Sequence, residues 1–405
     1  MPPVRPSEEA LDEFLTRAVA EVIVRTEFAA ALRSGERRLR VKQGFDPTRP
    51  NLHIGHAIGL RKLRQLAEWG HEIVLVIGDY TTQIGDPTAK DETRQMMSHE
   101  QVLENARTYQ DQFFKIVPRE NTRVVYQTEW YGSFSLKEMV TLASRFTVQQ
   151  MLAREEFRKR QSAGTPIPIK DLLYPLLQAY DSVAIQADVE FGGTDQKFNI
   201  LAGRELQAQV GQRPQDLLLV QMLEGTDGEV MAKSKPHTAI WLLDPPAEVF
   251  GKVMSIPDGL MPHYYEWATE LPLPEVRATL EALGRGDLHP REAKERLARR
   301  VTAELHSEAA AEDAAGAFAR QFRERETPED VPPVSVERDG ERAVPIVDLL
   351  LRAGLVESRG AARRLVEQRG VRVDGAVAEA GTTVPTDGQP VIQYGRRRFA
   401  RIHWR

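Results

Sequence analysis

His53 and His56 stand three residues apart, just after Gly44-Phe45-Asp46-Pro47, with Ile54-Gly55 between them. At the start of a helix, positions i and i+3 share a face, so both imidazoles can reach one ligand. Unpaired backbone N–H groups and the positive end of the helix dipole favour a polyanion there. Gly55 lets a flat ring or a phosphate come close to the backbone. The chain has nine histidines and no cysteine, and no third ligand follows at a spacing such as HExxH, so zinc is not expected. Further along, the Gly-led run Gly228-Glu229-Val230-Met231-Ala232-Lys233-Ser234-Lys235 offers two lysines suited to neutralising a departing pyrophosphate. A third group, Tyr174, Gln178 and Asp181, falls at i, i+4 and i+7, which turns a phenol, an amide and a carboxylate to one helix face. Taken alone, each motif has a plainer reading: a helix start with two surface histidines, a solvated loop, a polar helix surface.

The elements that must position these residues follow from periodicity. A strand is expected near 39–44, then an amphipathic helix carrying Ile54, Ala57, Ile58, Leu63 and Ala67, with Asn51 as N-cap and Gly70 as stop. The apolar run within His71–Asp79 reads as a strand buried in a parallel sheet. Residues 8–33, 97–116, 136–161 and 169–187 read as helices, and Arg123–Gln127 and Leu217–Leu223 as strands. This alternation predicts an α/β, doubly wound parallel sheet with ligands at the carboxyl ends of its strands. Neither a G-x-G-x-x-G nor a Walker loop accompanies it, which argues against a dehydrogenase or a P-loop ATPase. Asp244-Pro245-Pro246 marks a boundary, after which 246–325 is mainly helical, 326–344 reads as a Pro-rich charged linker, and 345–405 as a small α+β module. Within that module Ser358 caps a short helix, and Val371-Arg372-Val373 followed by Asp374-Gly375 signals a hairpin.

These residues resemble class I aminoacyl-tRNA synthetases, whose two signatures are HIGH and KMSKS. The first is matched letter for letter at 53–56; the second survives as Val230-Met231-Ala232-Lys233-Ser234, without its first lysine and central serine. Leu177-Gln178-Ala179-Tyr180-Asp181 and Gly192-Gly193-Thr194-Asp195-Gln196, with GFDPT and IGDP, narrow the resemblance to tyrosyl-tRNA synthetases of the bacterial type. The last 61 residues are similar to a small RNA-binding domain found in a ribosomal protein and in pseudouridine synthases.

The resemblance implies a Rossmann-like catalytic domain over 1–245, a dimer-forming insertion at about 130–175 and a helical anticodon-binding domain over 246–325. It implies that ATP and Mg²⁺ are used, that L-tyrosine and tRNA(Tyr) are the substrates, and that the chain is a homodimer. By that resemblance His53, His56, Lys233, Lys90 and Arg94 serve catalysis, and Gly44, Asp46, Gly55, Gly193, Asp195, Met231 and Ser234 bind ATP. Asp86, Thr81, Tyr174, Gln178, Asp181 and Gln196 bind tyrosine, with Asp181 on the phenolic hydroxyl. Arg359, Arg363 and Arg364 contact tRNA. One departure is Lys42, where many bacterial relatives carry a tyrosine that shares the substrate hydroxyl. Asp181 is then the principal partner, or Lys42 holds it by charge. Two rival readings are a tryptophanyl-tRNA synthetase, disfavoured because an indole offers Asp181 only an N–H at its far end, and a catalytically silent RNA-binding paralogue, supported only by the eroded KMSKS loop.

Composition agrees with this picture. A content of 41% hydrophobic and 28% charged residues fits a globular protein of two or three domains. The apolar runs are far too short to span a bilayer and the acidic start, SEEALDEF, is unlike a targeting peptide, so no membrane partner and a cytoplasmic location are expected. The net charge of −5 conceals an asymmetry: 345–405 holds 11 Arg against 6 Asp and Glu, so +5 sits on that module and −10 on the remaining 344 residues. A basic module on an acidic body suggests one dedicated nucleic-acid contact.

Overall fold

The computed structural model describes residues 3–87, 96–320, 331–395 and 398–405. They divide into two compact units, Met1–Ala311 and Glu312–Arg405.

The first unit is organised by a six-stranded sheet of order β1-β6-β5-β2-β3-β4. Its strands are β1 (Val19–Ile23), β2 (Arg40–Phe45), β3 (Glu72–Ile77), β4 (Thr122–Tyr126), β5 (Val189–Gly193) and β6 (Asp216–Val220). β2 to β6 run parallel, whereas β1 pairs antiparallel with β6. That edge strand corrects the expectation of helix throughout 8–33. The segment Val19-Ala-Glu-Val-Ile23 is rich in β-branched residues, and it separates α1 (Glu8–Thr16) from α2 (Arg25–Ser34). The expected buried strand is β3, whose Ile73–Ile77 side chains are all at most 1% exposed.

From β2 the chain crosses to β3 and β4 on one side, then returns to β5 and β6 on the other. The sheet therefore has its topological switch point between β2 and β5, and the general rule for such sheets puts the ligand crevice beyond their carboxyl ends. The crossover from β2 to β3 is α3 (Ile54–Glu68), which buries Ile54, Ala57, Ile58, Leu60, Leu63 and Leu66. α4 (Thr81–Ile84) and α5 (His99–Phe113) link β3 to β4. Between β4 and β5 lie α6 (Thr128–Tyr131), α7 (Leu136–Ala143), α8 (Val148–Leu152), α9 (Glu155–Ser162) and α10 (Ile169–Ile185). α11 (Lys197–Gln209) packs along α10 and leads to β6. The helices α12 (Pro246–Ser255), α13 (Met261–Trp267), α14 (Leu273–Arg285) and α15 (Pro290–Leu305) complete the unit, before α16 (Glu308–Phe318).

The second unit has a five-stranded sheet, order β10-β9-β12-β13-β7, and a separate two-stranded pair of β8 and β11. The strands are β7 (Pro333–Val336), β8 (Ala343–Pro345), β9 (Val371–Val373), β10 (Ala376–Val377), β11 (Thr383–Pro385), β12 (Val391–Tyr394) and β13 (Arg398–Trp404). Two helices, α17 (Ile346–Arg352) and α18 (Arg359–Glu367), cover a core of Ile346, Leu349, Leu350, Val366, Val371 and Ile392. Ser358 caps α18 as expected, accepting from the Ala361 N–H at 3.2 Å. The β9–β10 hairpin turns through Asp374 and Gly375, both at positive φ, which is the geometry an Asp-Gly turn selects.

Candidate active site

The loop from β2 into α3 forms one wall of the crevice. Its helix begins later than expected: the N-cap is His53, not Asn51. The displacement has a cause in the packing, because Leu52 and Ile54 are fixed by backbone bonds with Leu242 and Ile240, at 2.8 and 2.9 Å. The backbone N–H of His53 donates to His56 Nδ1 at 3.2 Å. That bond settles the tautomer of His56, since an accepting Nδ1 leaves the proton on Nε2. The two rings lie 3.9 Å apart between centroids. Gly55 has a local reason as well: a Cβ there would meet His53 Nδ1 at 2.9 Å. Burial pushes His53 down to about 3 and His56 well below the usual range, with the Lys233 charge adding to both. Both imidazoles are thus neutral hydrogen-bonding groups near pH 7.

Lys233 reaches this wall from the opposite loop. Its Nζ donates to the Asp46 carbonyl and to the Tyr109 hydroxyl, each at 2.8 Å. Lys235 does not follow it, being paired with Asp227 at 3.4 Å and with Glu229 on its own loop. Met231 is buried, while Val230 and Ser234 are exposed. Lys90 and Arg94 lie outside the described residues.

Asp46 occupies the middle of the crevice. Its Oδ1 accepts from Thr81 at 2.8 Å and its Oδ2 from the Tyr174 hydroxyl at 2.9 Å. A Cβ on Gly78 would collide with Asp46 Oδ1 and Thr81 Oγ1, so the glycine permits this approach. Desolvation raises the Asp46 carboxyl above its ordinary range, the Thr81 and Tyr174 bonds oppose it, and the neighbouring Asp86 adds to it. Asp86 accepts from Gln196 at 2.8 Å and faces Arg154 at 3.4 Å. Gln196 also donates to Asp195 at 2.9 Å. Gly44 has open space where a side chain would stand, and Gly193 is crowded by Asp195 and Met222.

The far end of the crevice is a buried polar network on α10. Both Asp181 oxygens are engaged: Gln127 Nε2 donates to one at 2.8 Å and Trp130 Nε1 to the other at 3.1 Å. Gln127 can present only its amino group there, because its oxygen accepts from the Thr81 and Tyr80 N–H groups at 2.9 and 3.1 Å. Burial lifts Asp181 to about 7, while the Lys42 charge and the Gln127 bond pull it down. Lys42, fully buried, is directly paired with Glu190 at 2.9 Å and also donates to the Gln178 carbonyl and Ser182 Oγ, at 3.0 and 2.9 Å. Its three N–H groups therefore have three acceptors, and it acts on Asp181 through space only. Glu190 accepts in turn from Ser182 at 2.9 Å and, at 3.4 Å, from the Gln178 amide.

Sequence reasoning had singled out neither Gln127, Trp130 and Glu190 nor the α5 face made by Asn105, Thr108, Tyr109 and Gln112. Asn105 donates to the Pro47 carbonyl at 2.9 Å, Tyr109 to Arg49 and Gln112 to Pro50, both at 2.8 Å, so that one helix face holds the loop that ends in His53. The spacing of those four residues, i, i+3, i+4 and i+7, was a readable signal. In the second unit Arg363 and Arg364 are exposed on α18, and Arg359 is paired with Asp348.

Known proteins resemble this chain along most of its length. Residues 34–323 match a family model described as tRNA synthetases class I (W and Y), and residues 344–389 match the S4 domain. The chain is thus built as a class I aminoacyl-tRNA synthetase of the tryptophan and tyrosine type, followed by an S4 domain. A tyrosine–tRNA ligase from Dehalococcoides mccartyi is 48% identical over 396 residues, covering 98% of this chain and 99% of that protein. One from Geobacter sulfurreducens is 44% identical over 392 residues, covering 96% and 97%. Within the class, this chain belongs to the tyrosine–tRNA ligase family. The fold also matches a crystal structure of a C-terminally truncated mitochondrial tyrosyl-tRNA synthetase from Aspergillus nidulans, with a TM-score of 0.62 and 21% identity over 77% of this chain and 94% of that one.

Proposed function

We propose that the enzyme activates tyrosine with ATP to tyrosyl-adenylate and pyrophosphate, and then passes the tyrosyl group to the 3′-terminal ribose of tRNA(Tyr). In the first step a tyrosine carboxylate oxygen bonds to the α-phosphorus and the bond to the pyrophosphate oxygen breaks. The nucleophile is already ionised at neutral pH, so alignment and stabilisation of charge on the leaving group carry the rate. His56 Nε2–H, His53 and Lys233 serve that charge, with Lys90 and Arg94 assigned by motif. Gly44, Asp46, Gly55, Gly193, Asp195, Met231 and Ser234 line the nucleotide side. Asp86, Tyr174 and Gln178 serve the tyrosine ammonium end, Thr81 and Gln196 also line the tyrosine pocket, and Asp181 accepts from the phenol.

The observation that carries this reading is that two neutral imidazoles and Lys233, the latter bonded to the Asp46 carbonyl, stand at one end of a crevice whose other end holds a buried, hydrogen-bonded carboxylate on α10. Magnesium, as the family resemblance implies, would accompany ATP and be held chiefly by the nucleotide phosphates. The domain reading is a catalytic body over 1–245, an anticodon-binding helical region over 246–325 and an RNA-binding module over 345–405 in which Arg359, Arg363 and Arg364 meet phosphate. Of the linker assigned to 326–344, residues 326–330 lie outside the described residues, whereas Pro333–Val336 form β7, which pairs with β13, and Val336 and Val344 are buried in the second unit's core, so that stretch is part of the module and not a linker. Leu136, 81% exposed, and Ile169, 76% exposed, stand with Val140 and Val148 in the 130–175 segment and support a homodimer face there. No described helix is long and apolar enough to cross a membrane; the cytoplasm is the location assigned, as the compartment of translation. Tyrosine-dependent ATP–pyrophosphate exchange, run beside tryptophan and phenylalanine, tests the reading: exchange with tyrosine alone is expected, and exchange driven equally by tryptophan overturns it.

A further inference from the structure

α5 has one face whose polar side chains all bind the 46–52 loop, and Tyr109 is the member of that face that also touches the opposite loop. Its ring is fully buried, set edge-on to Phe113 at 5.8 Å, and Phe113 packs on Phe45 at 4.6 Å. Its hydroxyl has one proton, which goes to the Arg49 carbonyl at 2.8 Å, so a lone pair is left to accept from Lys233 Nζ at 2.8 Å. The ammonium also lies 5.1 Å from the centre of the same ring. Burial raises the phenol above its ordinary range, so it meets Lys233 as a neutral dipole.

We propose that Tyr109 is a positioning residue for adenylate formation, docking the Lys233 ammonium against the loop that ends in His53. The inference rests on the reading of Lys233 as the loop cation of the first step. It supplies what the eroded loop lacks. Where KMSKS has its first lysine this chain has Val230, and Lys235 is tied to acidic residues of its own loop, so Lys233 must be held at the crevice by something outside the loop. Two points fix it: the Asp46 carbonyl, on the loop that bears the histidines, and the Tyr109 hydroxyl, on the helix that shapes that loop. A cation held this way needs little reorganisation when negative charge grows on the leaving group.

The test is a single-turnover measurement of tyrosyl-adenylate formation by the full chain, comparing wild type, Y109F, K233A and the double variant. Phe keeps the ring against Phe113 and removes only the hydroxyl. K233A is expected to slow the step by about 10²-fold, and Y109F by about tenfold with the KM for tyrosine unchanged. The double variant is expected to be no slower than K233A, because Tyr109 acts through Lys233. Melting of Y109F within a few degrees of wild type belongs to the same expectation. Three results overturn the proposal: a wild-type rate in Y109F while K233A is slow, a further tenfold loss when Y109F is added to K233A, or slowing accompanied by a large drop in melting temperature. A wild-type rate in K233A removes the Lys233 reading itself, and the Tyr109 inference with it.

Discussion

At the end of the crevice that the proposed reading assigns to phosphate, side chains mostly bind backbone. Asn105, Tyr109 and Gln112 hold carbonyls of the 46–52 loop, and Lys233 reaches the Asp46 carbonyl. At the tyrosine end, side chains bind one another: Gln127 and Trp130 on Asp181, Lys42 and Ser182 on Glu190. Desolvation favours the neutral form at both ends, lowering the imidazoles and raising the carboxylate. It strips His53 and His56 of charge, leaving hydrogen-bond donors for a ligand that brings its own negative charge. It holds Asp181 near neutrality in its titration, so that end is sensitive to small changes in its surroundings. A shaped loop can lose one contact and keep its form, whereas a buried network of charges fails when one member is removed.

The sharpest way to break the contrast is Lys42→Met. Removing the cation leaves Glu190 buried at 1% exposure without its partner, a loss of about 4 kcal/mol of folding stability. Adding Glu190→Gln should restore most of it, since both charges are then gone. Urea denaturation of the three variants decides. A Lys42→Met protein as stable as wild type means that the pair is not the keystone of the tyrosine end.

Asp181→Ala comes next. On the proposed reading it removes the acceptor for the hydroxyl that separates tyrosine from phenylalanine, and it strands two buried donors, Gln127 Nε2 and Trp130 Nε1. The ratio of kcat/KM for tyrosine over phenylalanine is expected to fall by about 10²-fold, with the KM for ATP changed less than about threefold. A ratio within about threefold of wild type assigns recognition of the hydroxyl to another group.

The same contrast governs what could be read from sequence. The phosphate end announced itself because its groups are local: two histidines in one turn, a glycine between them, a lysine in a Gly-led loop. β3 was legible for a similar reason, as a continuous apolar run. The tyrosine end was legible only along α10, where Tyr174 and Asp181 share a helical face. Gln127, Trp130 and Glu190 reach it from other segments, and each is an ordinary polar or aromatic residue until the sheet brings them together. Lys42 drew attention as a departure, yet its partner could not be read, since Glu190 lies 148 positions away and meets it only because β2 and β5 are neighbours. β1 was mistaken for helix because five residues between two helices carry too little periodicity to oppose their flanks. Asn51 was a sound N-cap by type, but the bonds from Leu52 and Ile54 to Leu242 and Ile240 start the helix two residues later.

The smallest expected effect is on pH dependence. Asp181, raised to about 7, is protonated below that pH and charged above it, and the charged form is the better acceptor for a phenol. Tyrosine binding should therefore strengthen as pH rises through 7, with a KM for tyrosine about tenfold higher at pH 6 than at pH 8. The imidazoles stay neutral across this range, so they add nothing to the trend at the phosphate end, while Asp46, raised to about 6, adds a slope that is common to wild type and Asp181→Asn. Folding responds with the opposite sign. The native state keeps a proton on Asp181 that the unfolded chain gives up near pH 4, so this group lowers stability progressively as pH rises from about 4 to about 7. Steady-state KM values for tyrosine and ATP, measured from pH 6 to pH 8 for wild type and Asp181→Asn, separate the contributions. The variant should flatten the tyrosine profile and leave the ATP profile as it was. A tyrosine KM that is level in wild type, or one that slopes as steeply in Asp181→Asn as in wild type, assigns the ionisation to a group other than the α10 carboxylate and removes the electrostatic difference between the two ends.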